Sequence, residues 1–316
     1  MKHIVVASFA ALILMCACSQ KKGSDNTMTD AVDSTVVAAL VIDHYSYVDS
    51  GKYANVNIEI DLPKAETDAA AMIRSHLLDL VGERLSYVTS YESERSYPLY
   101  SGNSDDEVAR LEYYFKETML LMDTSSMNDV NDRIRYIDED STLTPVDKAL
   151  AKEYIPSWSY EYKLVKVTDT LAYAVFLSQD YIYMGGAHGG VGGDGYITFD
   201  KRNGHVISQF VDTTRIANMQ PLFVEGLIQY YVDAEQPKMT ADELFERLQL
   251  PLDGPKNQIP LPVGLPCPTS DGLLFTYGQY EIACYADGMP SFVIPYEKIK
   301  PFLTEEAAQL LRPYLK

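Results

Sequence analysis

The sequence has few basic residues, one tryptophan and no apolar run of transmembrane length. A membrane-spanning helix needs about 20 apolar residues, and the longest apolar or small run, residues 4–15, has 12. The 26 Lys and Arg residues stand against 45 Asp and Glu residues. This balance opposes sequence-independent nucleic-acid binding, because neutralising phosphates requires clustered basic side chains.

Several catalytic and cofactor motifs are also missing from the sequence. It contains no Gly-x-Ser-x-Gly elbow, no His-Glu-x-x-His helix and no Cys-x-x-Cys pair of the kind that binds zinc. The cluster Asp138–Asp140 lies in a polar segment and is typical of a solvated loop. We therefore predict no cofactor, no metal site and no catalytic residues. A non-enzymatic role is favoured, and catalytic activity is left open.

The first residues have the pattern of a secretory signal. A short basic start precedes the apolar residues 4–15, which as a helix would cover only about 18 Å. The segment Leu-Met-Cys-Ala-Cys at 14–18 then resembles the lipobox of bacterial lipoproteins, with the small Ala17 before Cys18. Cys16 is the competing acylation site, and it is disfavoured because bulky methionine precedes it. The sequence predicts lipidation at Cys18.

Processing at that point would divide the chain into an anchor and an exported protein. Residues 1–17 are the predicted signal peptide, and residues 18–38, rich in Ser, Thr, Asp and Asn, are the predicted flexible tether. Loss of Lys2 with the signal leaves 25 basic against 45 acidic side chains, a formal charge of −20. We expect an exported lipoprotein that contacts the membrane through its lipid, with the periplasmic face of the outer membrane favoured.

The remaining sequence mixes helical and strand patterns without strict alternation, which predicts an α+β fold. We expect an N-terminal α+β domain at residues 39–155 and a C-terminal domain at 156–316. In the first, strands are predicted at Val41–Val48, Tyr53–Leu62 and Arg84–Tyr91. Helices are predicted over about 66–82 and 105–122, and a short one begins at Pro145.

In the second half, two β-rich runs, 158–167 and 171–183, precede a predicted hairpin of Tyr196–Asp200 with His205–Phe210. One helix is expected to begin at Pro221. Further predicted elements are a helix with a Thr240–Glu243 capping box, strands Leu273–Tyr280 and Phe292–Tyr296, and a last helix opened by Thr304.

Two cysteines remain after the predicted lipidation site. Cys267 and Cys284 flank a predicted strand, and in an oxidising compartment a leftover pair suggests a disulfide. Two buried free thiols are the alternative.

The most unusual segment follows the second β-rich run. Seven of the eleven residues 185–195 are glycine, which leaves backbone amides accessible and positive φ inexpensive. It fits neither a Walker loop nor a dinucleotide-binding loop, because no Gly-Lys-Ser/Thr and no helix follow. We predict a mainly conformational loop that can contact a ligand, and the candidate ligand-binding residues are Tyr183, Gly185, Gly186, His188 and Gly189.

The loop also belongs to a longer pattern. Tyr-x-Gly-Gly-Ala-His-Gly at 183–189 is followed by Phe199-Asp200 and Asn203-Gly204, then by the segments 271–275, 280–288 and 292–296. Together these resemble the C-terminal domain of the RsiV anti-sigma factor family, over about residues 156–303. The first half resembles its companion domain more weakly. The resemblance implies an α+β ectodomain of the heat-shock-cognate ATPase-subunit-like type, without implying nucleotide binding.

The same resemblance suggests a function. The family's ectodomain binds lysozyme, but the sequence lacks the family's cytoplasmic sigma-binding segment and transmembrane helix, so anti-sigma activity is not carried over. A binding or sensing lipoprotein for a protein or cell-wall ligand is the favoured function. Lysozyme-like proteins are one candidate partner, since a charge of −20 attracts cationic proteins. An envelope glycan-active enzyme, which usually needs paired carboxylates, and a structural envelope component are the alternatives.

Overall fold

Helices and strands are interleaved along the whole chain. The computed structural model describes residues 5–8, 38–89, 94–185, 191–233, 238–251 and 257–315. The strands are β1 Val5–Ser8, β2 Ile42–Ser50, β3 Ala54–Pro63, β4 Tyr87–Thr89, β5 Glu94–Ser96, β6 Trp158–Asp169, β7 Tyr173–Tyr183, β8 Val191–Asp200, β9 Cys267–Pro268, β10 Gly272–Thr276 and β11 Ser291–Pro295. The helices are α1 Asp68–Ser86, α2 Glu107–Glu139, α3 Pro145–Glu153, α4 Ile216–Asp233, α5 Ala241–Arg247, α6 Tyr296–Ile299 and α7 Glu305–Leu310.

A mixed sheet with the order β1-β2-β3-β6-β7-β8 forms the centre of the fold. Its neighbouring strands are antiparallel except β3 and β6, which are parallel. A separate antiparallel sheet has the order β11-β10-β9, and β4 pairs with β5. The α+β class predicted from the sequence is confirmed, and the heat-shock-cognate likeness stays a prediction.

One face of the central sheet is covered by α1 and α2. The alternating apolar residues of β3 are at most 1% exposed, and they pack with the buried sides of both helices. The alternation places polar residues such as Asn57 and Glu59 on the opposite face of the sheet. Both of these side chains are half-buried and are not part of that core.

Strand β7 is shared between two hydrophobic cores. Ala174 and Phe176 face the core under α1 and α2, whereas Tyr173 and Val175 face a second core built from α4 and β10–β11. The central sheet also contains strands from both sides of the expected domain boundary at residue 155. Strands β2 and β3 precede this residue in the chain, and β6–β8 follow it.

Both long helices extend further than their patterns predict. Gly82 does not end α1, which continues to Ser86. A Cβ at position 82 would lie 2.5 Å from the Tyr114 hydroxyl, so glycine at this position makes room for the tyrosine. Of the strand expected at Arg84–Tyr91, residues 84–86 are helical and residues 87–89 form β4, and residues 90–91 lie outside the described ranges. Helix α2 runs on past Met122 to Glu139.

Three predicted helix starts are confirmed and one is wrong. Pro145 begins α3, Thr304 caps α7, and Thr240 forms the expected capping box with Glu243 at the start of α5. Pro221, by contrast, lies inside α4, which begins five residues earlier at Ile216.

The predicted hairpin after β8 is only partly formed. Gly204 has the expected positive φ of 76°, and its amide donates to the Asp200 carbonyl at 2.7 Å. The segment 205–210 is not a strand, because it contributes a single bridge, from Val206 to Phe199.

The N-terminal segment and the cysteines are also placed. Strand β1 lies within the predicted signal peptide and pairs with β2, so removal of residues 1–17 would make β2 an edge strand. In the part of the chain that the structure describes, no helix is long and apolar enough to cross a membrane. Cys267 and Cys284 are both free thiols, the first buried and the second half-buried.

Candidate functional site

The glycine-rich loop leaves the central sheet at the end of β7. Tyr183 is half-buried and lies opposite Ser159 of β6. Gly185 has φ +78°, and a Cβ there would lie 2.3 Å from Pro156 Cγ, so both its conformation and its surroundings require glycine. Two of the predicted ligand-binding residues thus form the base of the loop. The other three, Gly186, His188 and Gly189, lie outside the described residues.

A polar network joins this base to α2. Trp158 Nε1 donates to Asp129 Oδ2 at 3.2 Å, and Arg133 Nε donates to the same oxygen at 2.9 Å. Arg133 Nη2 donates in turn to the Met184 carbonyl at 3.2 Å. Trp158 is 2% exposed, so its buried indole N–H needs a partner within the protein, and Asp129 provides one. The network fixes where the loop begins.

The other end of the loop is tied to the second sheet region. The amide of Gly192, in β8, donates to Gln279 Oε1 at 3.1 Å. Gly192 also lies opposite Tyr181 of β7, and a Cβ at position 192 would lie 3.6 Å from the Tyr181 ring. Gly192 therefore links Tyr181 with the turn that contains Gln279.

That turn holds a tyrosine in an unusual backbone conformation. Tyr280 has φ +62° and is 44% exposed; a bulky residue in the left-handed region costs roughly 1–2 kcal/mol. The Glu281 carboxylate fixes the turn, because Oε2 accepts the Gly278 amide and Oε1 accepts the Val263 amide, both at 2.7 Å. The Tyr280 ring lies 5.8 Å from that of Tyr285.

The Gly192–Gln279 hydrogen bond brings these two segments together at the loop end of the sheet. We call Tyr181, Tyr183, Gln279 and Tyr280 the loop-end surface. A tyrosine side chain combines a large flat apolar ring with a hydroxyl that donates and accepts hydrogen bonds. Exposed tyrosines therefore suit ligands that have both polar and apolar parts.

The exposed face of the central sheet continues the loop-end surface with polar rows. Register places Asn57, Glu161 and Tyr181 side by side, each on its own strand. The next row is Glu59, Lys163 and Gln179. Directly paired side chains on one face have Cβ atoms about 5 Å apart. The Asn57 side-chain oxygen is buried and has no hydrogen-bond partner. The two rows place polar side chains on three neighbouring strands, β3, β6 and β7.

The described His, Cys, Asp and Glu side chains bear on metal binding and thiol chemistry. Within the described ranges, no group of three His, Cys, Asp or Glu side chains is placed to hold a metal ion. Burial raises the pKa of Cys267 to about 12, which keeps its thiol protonated and unreactive at neutral pH.

One segment matches a known family. Residues 224–297 match the family described as "Protein of unknown function (DUF3298)". This segment runs from the middle of α4 to the start of α6 and includes Gln279 and Tyr280. No curated protein matches the chain.

Solved structures of two DUF3298 proteins have a similar fold. The protein from Bacteroides fragilis is 16% identical, with a TM-score of 0.59 over 89% of this chain and 99% of its own. The protein from Pseudomonas aeruginosa is 15% identical, with a TM-score of 0.51 over 86% of this chain and 98% of its own. At these identities the similarity shows the fold alone.

Sequence reasoning missed part of the site. It identified Tyr183 and Gly185, but not Asp129, Gln279 or Tyr280 as site residues. The signal for Gln279 and Tyr280 is the short Gly-Gln-Tyr-Glu run at 278–281 directly after a strand, which is typical of a tight turn. Nothing local marks Asp129, because one of its partners, Trp158, lies 29 residues away in the chain and the other, Arg133, is an ordinary neighbour on its own helix.

Proposed function

We propose that the chain is a lipid-anchored, extracytoplasmic binding protein whose loop-end surface recognises a protein or cell-wall ligand. The observation that carries the proposal is Tyr280, an exposed tyrosine held at φ +62° beside the glycine-rich loop. Strained residues persist where the surrounding structure holds them, and they cluster at ligand-binding sites. Glu281 provides that support through its two hydrogen bonds.

The position of the tether agrees with ligand capture away from the membrane. Leu40, the first residue after the predicted tether with a fixed contact, donates its amide to Asp169 Oδ2 at 2.8 Å. Asp169 ends β6, whereas Trp158 begins β6 beside the loop. A strand of 12 residues spans about 36 Å. A chain anchored through Cys18 would thus present the loop-end surface at the end of the sheet opposite its attachment.

Charge narrows the class of partner. The predicted mature chain carries a formal charge of −20, which accelerates encounters with cationic proteins. Lysozyme-like proteins meet this condition, and the RsiV-like pattern described above favours them. Peptidoglycan fragments are the second probe, because tyrosines and amides also suit glycans.

Calorimetry of the detergent-extracted protein tests the proposal with two probes, a cationic lysozyme and soluble peptidoglycan fragments. We expect saturable one-site binding to one of them at about 0.15 M salt, where charges are screened beyond roughly 8 Å. Binding to neither probe under these conditions would discard both ligand classes. Turnover of the fragments by the purified protein, lost on changing one acid or His188, would show an enzyme instead.

A further inference from the structure

The outer edge of β11 borders a groove that the loop-end surface does not use. Strand β11 is the last strand of its sheet, and within the described ranges no strand pairs with its outer side. The groove has a volume of about 580 Å³ and lies between β11, one flank of α4 and Lys298 of α6. Unpaired strand edges beside a groove are places where an extended peptide can add a strand.

The ladder shows which backbone groups of β11 point into this space. The amide of Tyr277 donates to the Pro290 carbonyl at 2.9 Å. Tyr277 and Pro290 thus form a hydrogen-bonded pair. Such pairs alternate with non-hydrogen-bonded pairs along antiparallel strands, so the backbone groups of Phe292 and Ile294, two and four residues further along, bond to β10. The amides and carbonyls of Ser291 and Val293 therefore point outward, and Val293 is 41% exposed.

Helix α4 is placed against this edge by a glycine. A Cβ at Gly226 would lie 2.3 Å from the Phe292 ring, so only glycine permits the close approach. Glycine inside a helix costs roughly 0.5–1 kcal/mol relative to alanine, and the close contact explains why it occurs here. Leu222 and Gly226 form the helical wall of the groove, with Glu225 at the rim, 2.7 Å from Lys298 Nζ.

We infer that this groove binds an extended peptide segment of a partner protein, paired with β11 and carrying alternate apolar and basic side chains. Successive side chains of an added strand face opposite ways. One set faces Leu222 and Gly226, which requires small or apolar residues. The other set faces solvent beside Val293. Basic residues suit this second set, because the chain as a whole is strongly acidic. The inference concerns a second site and does not depend on the ligand of the loop-end surface.

The test uses dye-labelled octapeptides of alternating lysine and valine, or glutamate and valine, added to the full chain. Fluorescence anisotropy should show saturable one-to-one binding of the lysine peptide and at least tenfold weaker binding of the glutamate peptide. Val293→Pro removes the outward amide while leaving the inward hydrogen bonds, and edge strands tolerate proline at such positions. It should weaken binding at least tenfold, whereas Val293→Ala, which keeps the amide, should change it less than threefold.

Hydrogen exchange keeps the inference testable if Val293→Pro unfolds. The Val293 amide of the unchanged chain should exchange quickly alone and at least tenfold more slowly with the lysine peptide. Equal binding by the Val293→Pro and Val293→Ala variants would overturn the inference, as would equal binding of both peptides. A Val293 amide already protected in a dimer of the chain would show that a second copy occupies the edge.

Discussion

The side-chain oxygen of Gln279 lies 3.1 Å from the amide nitrogen of Gly192, 87 residues earlier in the chain. This hydrogen bond joins β8 of the central sheet to the turn that carries Tyr280. It therefore fixes the strained tyrosine relative to the glycine-rich loop.

Gln279→Ala should loosen that connection. We expect a loss of about 0.5–1.5 kcal/mol in the free energy of unfolding, the usual net value of one such bond. The Gly192 amide should also exchange faster with deuterium in native conditions. Gln279→Glu keeps an acceptor at the same place and should restore slow exchange. Unchanged exchange in Gln279→Ala would show that the bond does not hold the loop.

The network at the base of the loop can be followed by fluorescence, because Trp158 is the only tryptophan. Asp129→Ala leaves the indole N–H buried without a partner, which costs about 1–3 kcal/mol, and the emission maximum should shift. Asp132→Ala is the matched control, because Asp132 pairs with Arg135 on the exposed side of the same helix. Equal effects of the two changes would contradict the role given to Asp129.

The extent of α2 shows what a sequence pattern can and cannot reveal. Its apolar stripe predicted a helix to Met122, and this part is confirmed. Beyond it the helix is held by polar contacts with the β2–β3 turn: Asp123 Oδ1 accepts the Tyr53 amide at 2.7 Å, and Ser126 Oγ donates to the Tyr53 carbonyl at 2.6 Å. These bonds join residues about 70 positions apart, so hydrophobic periodicity gives no sign of them.

Glycines gave one wrong and one correct prediction of local structure. Gly82 looked like a helix stop but provides room for Tyr114, whereas Gly204 has the positive φ expected of its turn. The residue type alone does not separate close packing from turn geometry. The candidate site shows a similar limit. The glycine-rich loop is evident in the sequence, but the strained backbone of Tyr280 is not, because it depends on the contacts that Glu281 makes in the folded chain.

Thiol labelling distinguishes the two states of the cysteines. A pKa of about 12 for Cys267 leaves roughly one thiolate in 10,000 at pH 8. The native chain should therefore react with a thiol reagent at half-buried Cys284 and not at Cys267, and both should react after unfolding. Failure of both to react in the unfolded, unreduced protein would show that they form the disulfide.

Lipidation at Cys18 is tested by replacing its sulfur with oxygen, in the variant Cys18→Ser. Mass spectrometry of the membrane-extracted protein should show an acylated N-terminal Cys18, and Cys18→Ser should leave the membrane fraction, because serine cannot form the thioether linked to the lipid. Cys16→Ser is the matched control and should stay in the membrane. A mature chain that begins elsewhere and carries no lipid would contradict the prediction.

The most direct test of the central claim compares the stability and binding of Tyr280→Asn. Asparagine tolerates the left-handed region, as Asn257 does at φ 57°. The change should therefore leave the free energy of unfolding equal to that of the parent chain, or raise it by up to about 1 kcal/mol. Calorimetry with the probe that binds, lysozyme or peptidoglycan fragments, should show affinity at least tenfold weaker. Tyr154→Asn, at a tyrosine that is 77% exposed and distant in sequence, should bind like the parent. Parental affinity in Tyr280→Asn would contradict the account.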